Sequence, residues 1–431
     1  MEVAIIGGGM TGLSAAYELS KKGIPCAIFE RDEELGGLAG SFRVNGARLE
    51  KFYHHIFNND TAIVELIEEL GLGDRLEWKR TVTSYYANRI YRLSTPFDVL
   101  RFKPLGWVDR FRLGLLALRA RFIRGWQSLE DMSARDWIIQ MAGPQVYHEV
   151  WEPLLRGKFG RYQDQVGAVW FWNKLKLRGG SRGRSQAEEL GYLRGGFGLA
   201  FDAIEERLRQ MGAKIYTAKP IQQIRIEGGE VKGVVCSDGF YPYEAVLVTT
   251  APALFLEMAP DLPADYRARL EKIRYLANVC LILKLKRSLS DTYWLNLNDP
   301  SIPFVAVVEH TNIQRPEEYG GHHLVYLSRY MDHEDRYYSL SAEKLLAEYL
   351  PHLKKLFPAF QEDWVEGCYA WRDPYTQPII VRNYSQIKPP FRTPVKNLWL
   401  CCMAQIYPED RGMNYSLVYA QRAVAEILKE M

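Results

Sequence analysis

The chain has 431 residues, 47% of them hydrophobic and 25% charged, with a formal net charge of +3. That composition excludes a disordered chain, and the near-balanced charge leaves no electrostatic footprint for nucleic acid. The length is large for a single core, so two or three lobes are expected. Aromatic residues make up 13%, which suits a large apolar pocket as well as an ordinary core. Six cysteines, at 26, 236, 280, 368, 401 and 402, form no C-x-x-C and suit a reducing compartment. The start, MEVAIIGGG, has no basic n-region, and no apolar run reaches the roughly 18 residues of a spanning helix. A cytoplasmic protein is expected.

Val3 to Ile6 reads as a short buried strand. Gly7, Gly9 and Gly12 then make G-x-G-x-x-G, and Thr11 to Lys22 has helical spacing. Cys26 to Phe29 is a second strand that ends in Glu30. Each part has a physical task. Gly7 permits the tight strand-to-helix turn, Gly9 admits a pyrophosphate to the backbone, and Gly12 lets the helix sit on the strand. The helix start at Met10 and Thr11 presents free amides and a positive dipole end to the phosphates. Glu30 is placed to accept from a ribose diol. A glycine-rich turn without nucleotide is the alternative, but strand, glycines, helix, strand and acid fall in register.

A second glycine cluster follows in RDEELGGLAGSF, with Gly36, Gly37 and Gly40. Here the chain resembles the FAD-binding superfamily of amine oxidases, protoporphyrinogen oxidases and phytoene desaturases. The resemblance implies an α/β fold: a Rossmann-like, glutathione-reductase-like FAD domain with an inserted substrate domain of sheet and helices. It also implies that Arg31, Gly36, Gly37, Leu38 and Ala39 join the FAD site. A glycine-rich surface loop is the competing reading.

EKFYHHIFNND, residues 50–60, carries two adjacent histidines. Metal binding is not expected: neighbouring side chains diverge and no third ligand stands at a motif spacing. A packed core histidine is the ordinary alternative. His55-Ile56-Phe57 resembles the H-I-F of UDP-galactopyranose mutases, flavoenzymes of the same fold, and so His55 is the expected catalytic residue beside the flavin. Tyr53, His54, Trp371, Arg372, Tyr375, Tyr407, Asp410 and Arg411 are the expected substrate-pocket residues. Asp410–Arg411 reads equally as a structural ion pair.

Between Arg101 and Trp126, seven basic residues face one acid, Asp109. Phe111, Leu115, Leu118 and Phe122 share one helical face, and Arg110, Arg121 and Arg124 lie off it. Three readings stand open. The helix packs its apolar stripe on the core with a solvated basic face; it lies on an anionic membrane surface; or its arginines bind a phosphorylated substrate.

Further along, a helix is expected over 199–211, strands over 214–216, 221–227, 231–237 and 245–249, and strands at 279–284 and 305–309 with a helix near 341–357. Leu398–Cys402 reads as a strand and Met413–Lys429 as a final helix. By the resemblance, Ile221, Thr250, Ala251, Gly412, Met413 and Asn414 complete the FAD site. Cys402 and Met403 stand where the superfamily usually has Gly and an acid, so no carboxylate contact is expected there. The implied FAD domain is discontinuous, over 1–95, 186–255 and 376–431. A helical insertion, 96–185, and a mixed insertion, 256–375, form the substrate domain. The implied activity is hydride transfer from a C–N or C–C centre of a small organic substrate to flavin N5. A mutase that uses reduced FAD without net redox is the second reading, though YPEDRGMN lacks the mutase aspartate pair. A non-enzymatic flavin-binding protein is the third.

Overall fold

The computed structural model describes residues 1–180 and 189–430. A parallel five-stranded sheet runs in the order Lys214–Tyr216, Cys26–Phe29, Val3–Ile6, Ala245–Val248, Leu398–Leu400. VAII, CAIF, AVLV and LWL are buried at every position. Such unbroken apolar runs are what a parallel sheet covered on both faces requires. The Met10–Lys21 helix packs on Met413–Glu430 through Leu13, Ala16, Leu417 and Ala420. The expected helix at 199–211 is Gly198–Gln210, and the hairpin pairs Gln223–Glu227 with Glu230–Cys236.

A second, mixed sheet of seven strands forms the other lobe, with the long strand Val365–Pro378 at one edge and Tyr275–Leu285 and His323–Met331 next to it. The helix Ala342–Leu356 covers one side through Leu345, Tyr349 and Leu353. Two strands from within the segment 1–95, Thr83–Tyr86 and Ile90–Arg92, extend this sheet: Ser84 pairs with Leu295 across a parallel ladder. Main-chain pairing thus joins residues 83–92 to the second sheet. Val365–Pro378 likewise runs unbroken across the expected boundary at 375. The boundary expected at 185/186 lies outside the described residues.

The helical insertion is built from Trp107–Phe122, Ala134–Ala142, Glu152–Phe159 and Ala168–Gly180. The Trp107–Phe122 helix packs through Leu113, Leu116 and Ala120. Its stripe of Phe111, Leu115, Leu118 and Phe122 is turned outward, with Phe111 69% and Phe122 75% exposed. This corrects the reading in which that stripe packs on the core. No helix among the described residues is long and apolar enough to cross a membrane.

Glu50 ties the lobes together. It is fully buried; its carboxylate accepts from Tyr192 Oη at 2.6 Å and from Phe197 N–H at 2.8 Å. Its carbonyl accepts from Tyr326 Oη of the mixed sheet at 2.8 Å. Burial outweighs these hydrogen bonds and lifts its pKa to about 7. The folded chain therefore keeps a proton that the unfolded chain loses above its carboxylate pKa of about 4.3. Stability from this group falls as pH rises through that window, by about 3 kcal/mol in total, and is flat above it. Glu50→Gln removes the titration while retaining an acceptor. Its melting temperature relative to wild type is expected to rise between pH 5 and pH 8. A difference that stays constant across that range would contradict the role of Glu50.

Candidate active site

The first turn is closed by contact rather than by propensity. Gly7 has φ +107°, and a Cβ there would stand 2.7 Å from Thr249 Oγ1. A Cβ on Gly12 would stand 1.9 Å from the Gly7 carbonyl, so the helix rests directly on the turn. Gly9 caps the helix without a side-chain bond, and Leu13 N–H is the first to find an intrahelical carbonyl, that of Gly9. The amides before it are offered to a ligand. The two glycine clusters are joined: Gly36 N–H donates to the Gly8 carbonyl at 2.9 Å. Glu30 is buried, accepting from Gly8 N–H at 2.6 Å and Asp32 N–H at 3.0 Å. These fix its carboxylate and leave lone pairs for a diol.

These elements border a cavity of about 1000 Å³, at the upper end for ligand sites. Gly7, Gly9, Met10, Thr11, Glu30, Arg31, Gly36, Gly37, Leu38, Ala39, Ile221, Thr250, Ala251, Gly412 and Met413 line it. Gly12 supports the turn from behind, and Asn414 lines the neighbouring cavity while its Oδ1 accepts from Ile63 N–H at 3.1 Å. Thr250 Oγ1 and Trp371 Nε1 are buried on this wall with no partner among the described residues. A long crevice with amides at one end and orphaned polar atoms along it fits FAD. Residues not read from sequence also line it, Phe42, Lys51 and Leu254 among them, as does Met403. Lys51 Nζ sits 4.8 Å over the Trp371 ring, whose other neighbour is Phe42, at 5.1 Å. No local pattern links these residues; only strand pairing and sheet packing bring them together.

A smaller cavity of about 320 Å³ adjoins the first, and Leu38, Phe52, His54, Arg411, Gly412 and Met413 line both. The histidines change places here. His54 stands at the junction, with Nδ1–H donating to the Phe52 carbonyl at 2.7 Å. Burial, with Arg411 nearby, lowers its pKa to about 4. It is therefore neutral near pH 7, with Nε2 as its acceptor. His55 lines only the smaller cavity, with Nδ1 3.1 Å from Tyr293 Oη and its ring edge-on to Phe57 and Trp294. Of the two histidines, only His54 borders both cavities; His55 borders the smaller one.

Tyr53 lines the smaller cavity, its ring edge-on to Trp294 at 4.9 Å. Asp410 lines it too. It accepts from Trp170 Nε1 at 2.9 Å and pairs with Lys174. Burial alone would raise its pKa, but Lys174, Lys158 and Arg411 outweigh this and hold it well below the usual carboxylate range. Arg411 donates to Gln377 Oε1 at 2.8 Å and Tyr330 Oη at 2.9 Å, so the expected Asp410–Arg411 bridge is replaced by separate partners. Trp371, Arg372 and Tyr375, all on strand Val365–Pro378, line the larger cavity and not the smaller one. Tyr407 lines neither. Its hydroxyl donates to Glu130 at 2.7 Å and its ring packs on Trp126, which makes it core. The helical insertion supplies wall residues that sequence reasoning missed: Trp151, Lys158, Trp170, Phe171 and Lys174. Among the described residues, no group of three or more His, Cys, Asp or Glu is placed to hold a metal.

Known proteins bear on this geometry. The profile of the family described as flavin containing amine oxidoreductase matches residues 10–428. Coproporphyrinogen III oxidase of Staphylococcus aureus is 27% identical over 301 residues, covering 61% of this chain and 64% of that protein. The chain thus spans less than two thirds of that relative's length. Zeta-carotene desaturase of Synechocystis is 24% identical over 337 residues, covering 70% of this chain and 67% of that one. Reduced UDP-galactopyranose mutase superposes with a TM-score of 0.78 at 17% identity, covering 100% of this chain and 96% of that one, a likeness of fold. The family match and the parallel sheet with its glycine turn agree on the fold class and the cofactor. The chain belongs to the flavin-containing amine oxidoreductases, a family that implies FAD as cofactor, and the larger cavity has the lining to hold it.

Proposed function

We propose that the enzyme withdraws a hydride from a C–N or C–C centre of an apolar organic substrate seated in the smaller cavity. The observation that carries this reading is the shared wall of the two cavities, which puts a ligand in the smaller one against one end of the cofactor crevice. Bound FAD supplies the two-electron sink at flavin N5, and an external acceptor such as oxygen or a quinone removes the electrons. The residues of this chain do the rest. Tyr53, Trp294, Trp151 and Phe171 offer an apolar, aromatic bed that excludes water. As the C–H electron pair leaves as hydride, a proton must leave the adjoining N or C. Neutral His54 takes it at Nε2, leaving a C=N or C=C product.

The wall also sorts substrates by charge. Lys158, Lys174 and Arg411 face two carboxylates, Asp410 and Asp60, and burial lifts the pKa of Asp60 to about 6. That balance disfavours a protonated amine and favours a neutral or acid-bearing substrate. The same cations favour a diphosphate, which supports a sugar-nucleotide mutase as the second reading. The non-enzymatic reading is dropped with the family assignment. We assign the enzyme to the cytoplasm, where its free thiols stay reduced, as a peripheral rather than spanning protein.

The test is anaerobic mixing of the oxidised holoenzyme with porphyrinogens, polyenes and amines. Bleaching of the flavin by a neutral or acidic substrate alone is expected. A protein that turns over only after prior reduction, and then only with a sugar nucleotide, would establish the mutase instead. His54→Ala is expected to lower the rate of flavin reduction by roughly 10²–10⁴-fold with substrate affinity little changed. The wild-type rate is expected to be level above about pH 5 and to fall below it, as His54 takes up its proton near pH 4. An unchanged reduction rate in the variant would remove His54 from the chemistry.

A further inference from the structure

Eight of the thirteen large apolar side chains that the described residues leave exposed lie between residues 97 and 122. They belong to two helices in contact, Pro96–Arg101 and Trp107–Phe122. Phe97 is 73% exposed, Trp107 67%, Phe111 69% and Phe122 75%. Apolar patches of this kind on a folded surface mark an interaction site. The pattern on the longer helix is strict. At about 100° per residue, Trp107, Val108, Phe111, Leu118 and Phe122 fall on one outward arc, opposite Leu113, Leu116 and Ala120, which are buried. Arg110 and Arg121 flank the arc on one side, and Arg112 and Arg119 on the other.

We propose that this face lies on an anionic lipid bilayer, with the aromatic arc in the acyl boundary and the arginines at the headgroups. Charge complementarity selects this occupant. Residues 101–126 hold seven cations against a single acid, Asp109, and Asp109 is already paired with Arg112 at 3.0 Å. A second copy docking through the same face would set one cationic rim against the other. A bilayer of anionic lipid instead supplies both an apolar layer and the opposite charge. Arg110 shows how the rim is held: its guanidinium donates to the carbonyls of Leu105 and Leu100 and lies 4.5 Å over the Trp107 ring.

The docked face is coupled to the substrate cavity through one helix. In Ala168–Gly180, Trp172 Nε1 donates to the Ala120 carbonyl of the docking helix at 2.8 Å. Trp170, Phe171 and Lys174 of the same helix line the smaller cavity. Docking therefore holds the cavity wall close to the bilayer, where a lipid-soluble substrate resides. The docking itself does not depend on the hydride-transfer reading, since it concerns only the surface of the folded holoenzyme.

The test is cosedimentation of the FAD-loaded enzyme with vesicles of mixed phosphatidylglycerol and phosphatidylcholine, and with vesicles of phosphatidylcholine alone. Binding to the anionic vesicles is expected, with little to the neutral ones. Phe111→Ser combined with Phe122→Ser is expected to weaken binding at least about tenfold, with the flavin spectrum unchanged as the sign of an intact fold. Should that variant lose its flavin, Val108→Glu with Leu118→Glu gives the same reading from the same arc. Absence of vesicle binding would overturn the proposal. So would binding that these variants leave unmoved, or a wild-type dimer that the same variants dissociate while vesicles remain unbound.

Discussion

Gly12→Val is expected to yield a colourless protein that retains no FAD on reconstitution and unfolds at a clearly lower temperature than wild type. The cause is steric. The added Cβ would stand 1.9 Å from the Gly7 carbonyl and 3.1 Å from Thr249 Oγ1, so the helix must lift off the strand. Lifting it moves the Gly9 cap and the first-turn amides away from the pyrophosphate site. It also opens the packing between Met10–Lys21 and Met413–Glu430, which bury Leu13 against the last helix. Thermal unfolding with flavin fluorescence reads both losses. Gly114→Ala is the control: a mid-helix glycine with nothing within 4 Å of an added Cβ, where alanine is expected to stabilise by up to about 1 kcal/mol. A Gly12→Val protein that keeps FAD and melts with the wild type would overturn this account of the turn.

Asp410→Ala is expected to cost about 3–5 kcal/mol of stability, the range for removing one partner of a buried charge pair. Asp410 is the carboxylate on which Lys174 and the Trp170 indole N–H converge, with Lys158 and Arg411 close by. Removing it leaves three cations to repel one another and strands a buried donor. Asp410→Asn keeps an acceptor for Trp170 and is expected to cost less. Urea unfolding of the two variants measures the difference. Because the neighbouring cations hold the carboxyl ionised, the stability it contributes is present above the unfolded-state pKa of about 4 and lost only as pH falls below that. The gap between wild type and Asp410→Ala should therefore be level from pH 5 to pH 8. Equal stability for the alanine and asparagine variants would mean that the acceptor for Trp170 contributes nothing, and an asparagine variant as stable as wild type would mean that charge compensation is not what Asp410 provides.

The residues that were legible from the sequence are those whose role is local. Gly7, Gly9, Gly12 and Glu30 lie within one strand-turn-helix-strand unit, where chain connectivity fixes the geometry, and each is where the spacing puts it. Thr250–Ala251 follow the strand Ala245–Val248 directly, while the second glycine cluster lies in the loop after Cys26–Phe29 and Gly412–Met413 at the start of the last helix; all border the larger cavity. The mutual arrangement of His54 and His55 was not legible. Both belong to one short stretch; His54 is held by the local Phe52 carbonyl and His55 by Tyr293, 238 residues away, and the second contact has no trace in the local sequence. Tyr407 failed for a related reason: an aromatic beside a cofactor loop serves a pocket or a core, and Glu130 and Trp126 from the distant helical insertion decide for the core.

By itself, then, the sequence determined the Rossmann-like sheet, the FAD crevice and the existence of an amphipathic basic helix, because periodicity and glycine spacing are properties of neighbours along the chain. Only the tertiary structure decided that strands Thr83–Tyr86 and Ile90–Arg92 belong to the second sheet, that Lys158, Lys174 and Asp410 meet in one wall, and that the aromatic side of the basic helix faces outward. Two faces of the Trp107–Phe122 helix carry apolar residues, and amphipathic spacing does not say which one packs. Leu113, Leu116 and Ala120 fit closely against the neighbouring helices, and the burial of that small, close-packing face is what leaves the phenylalanines outside.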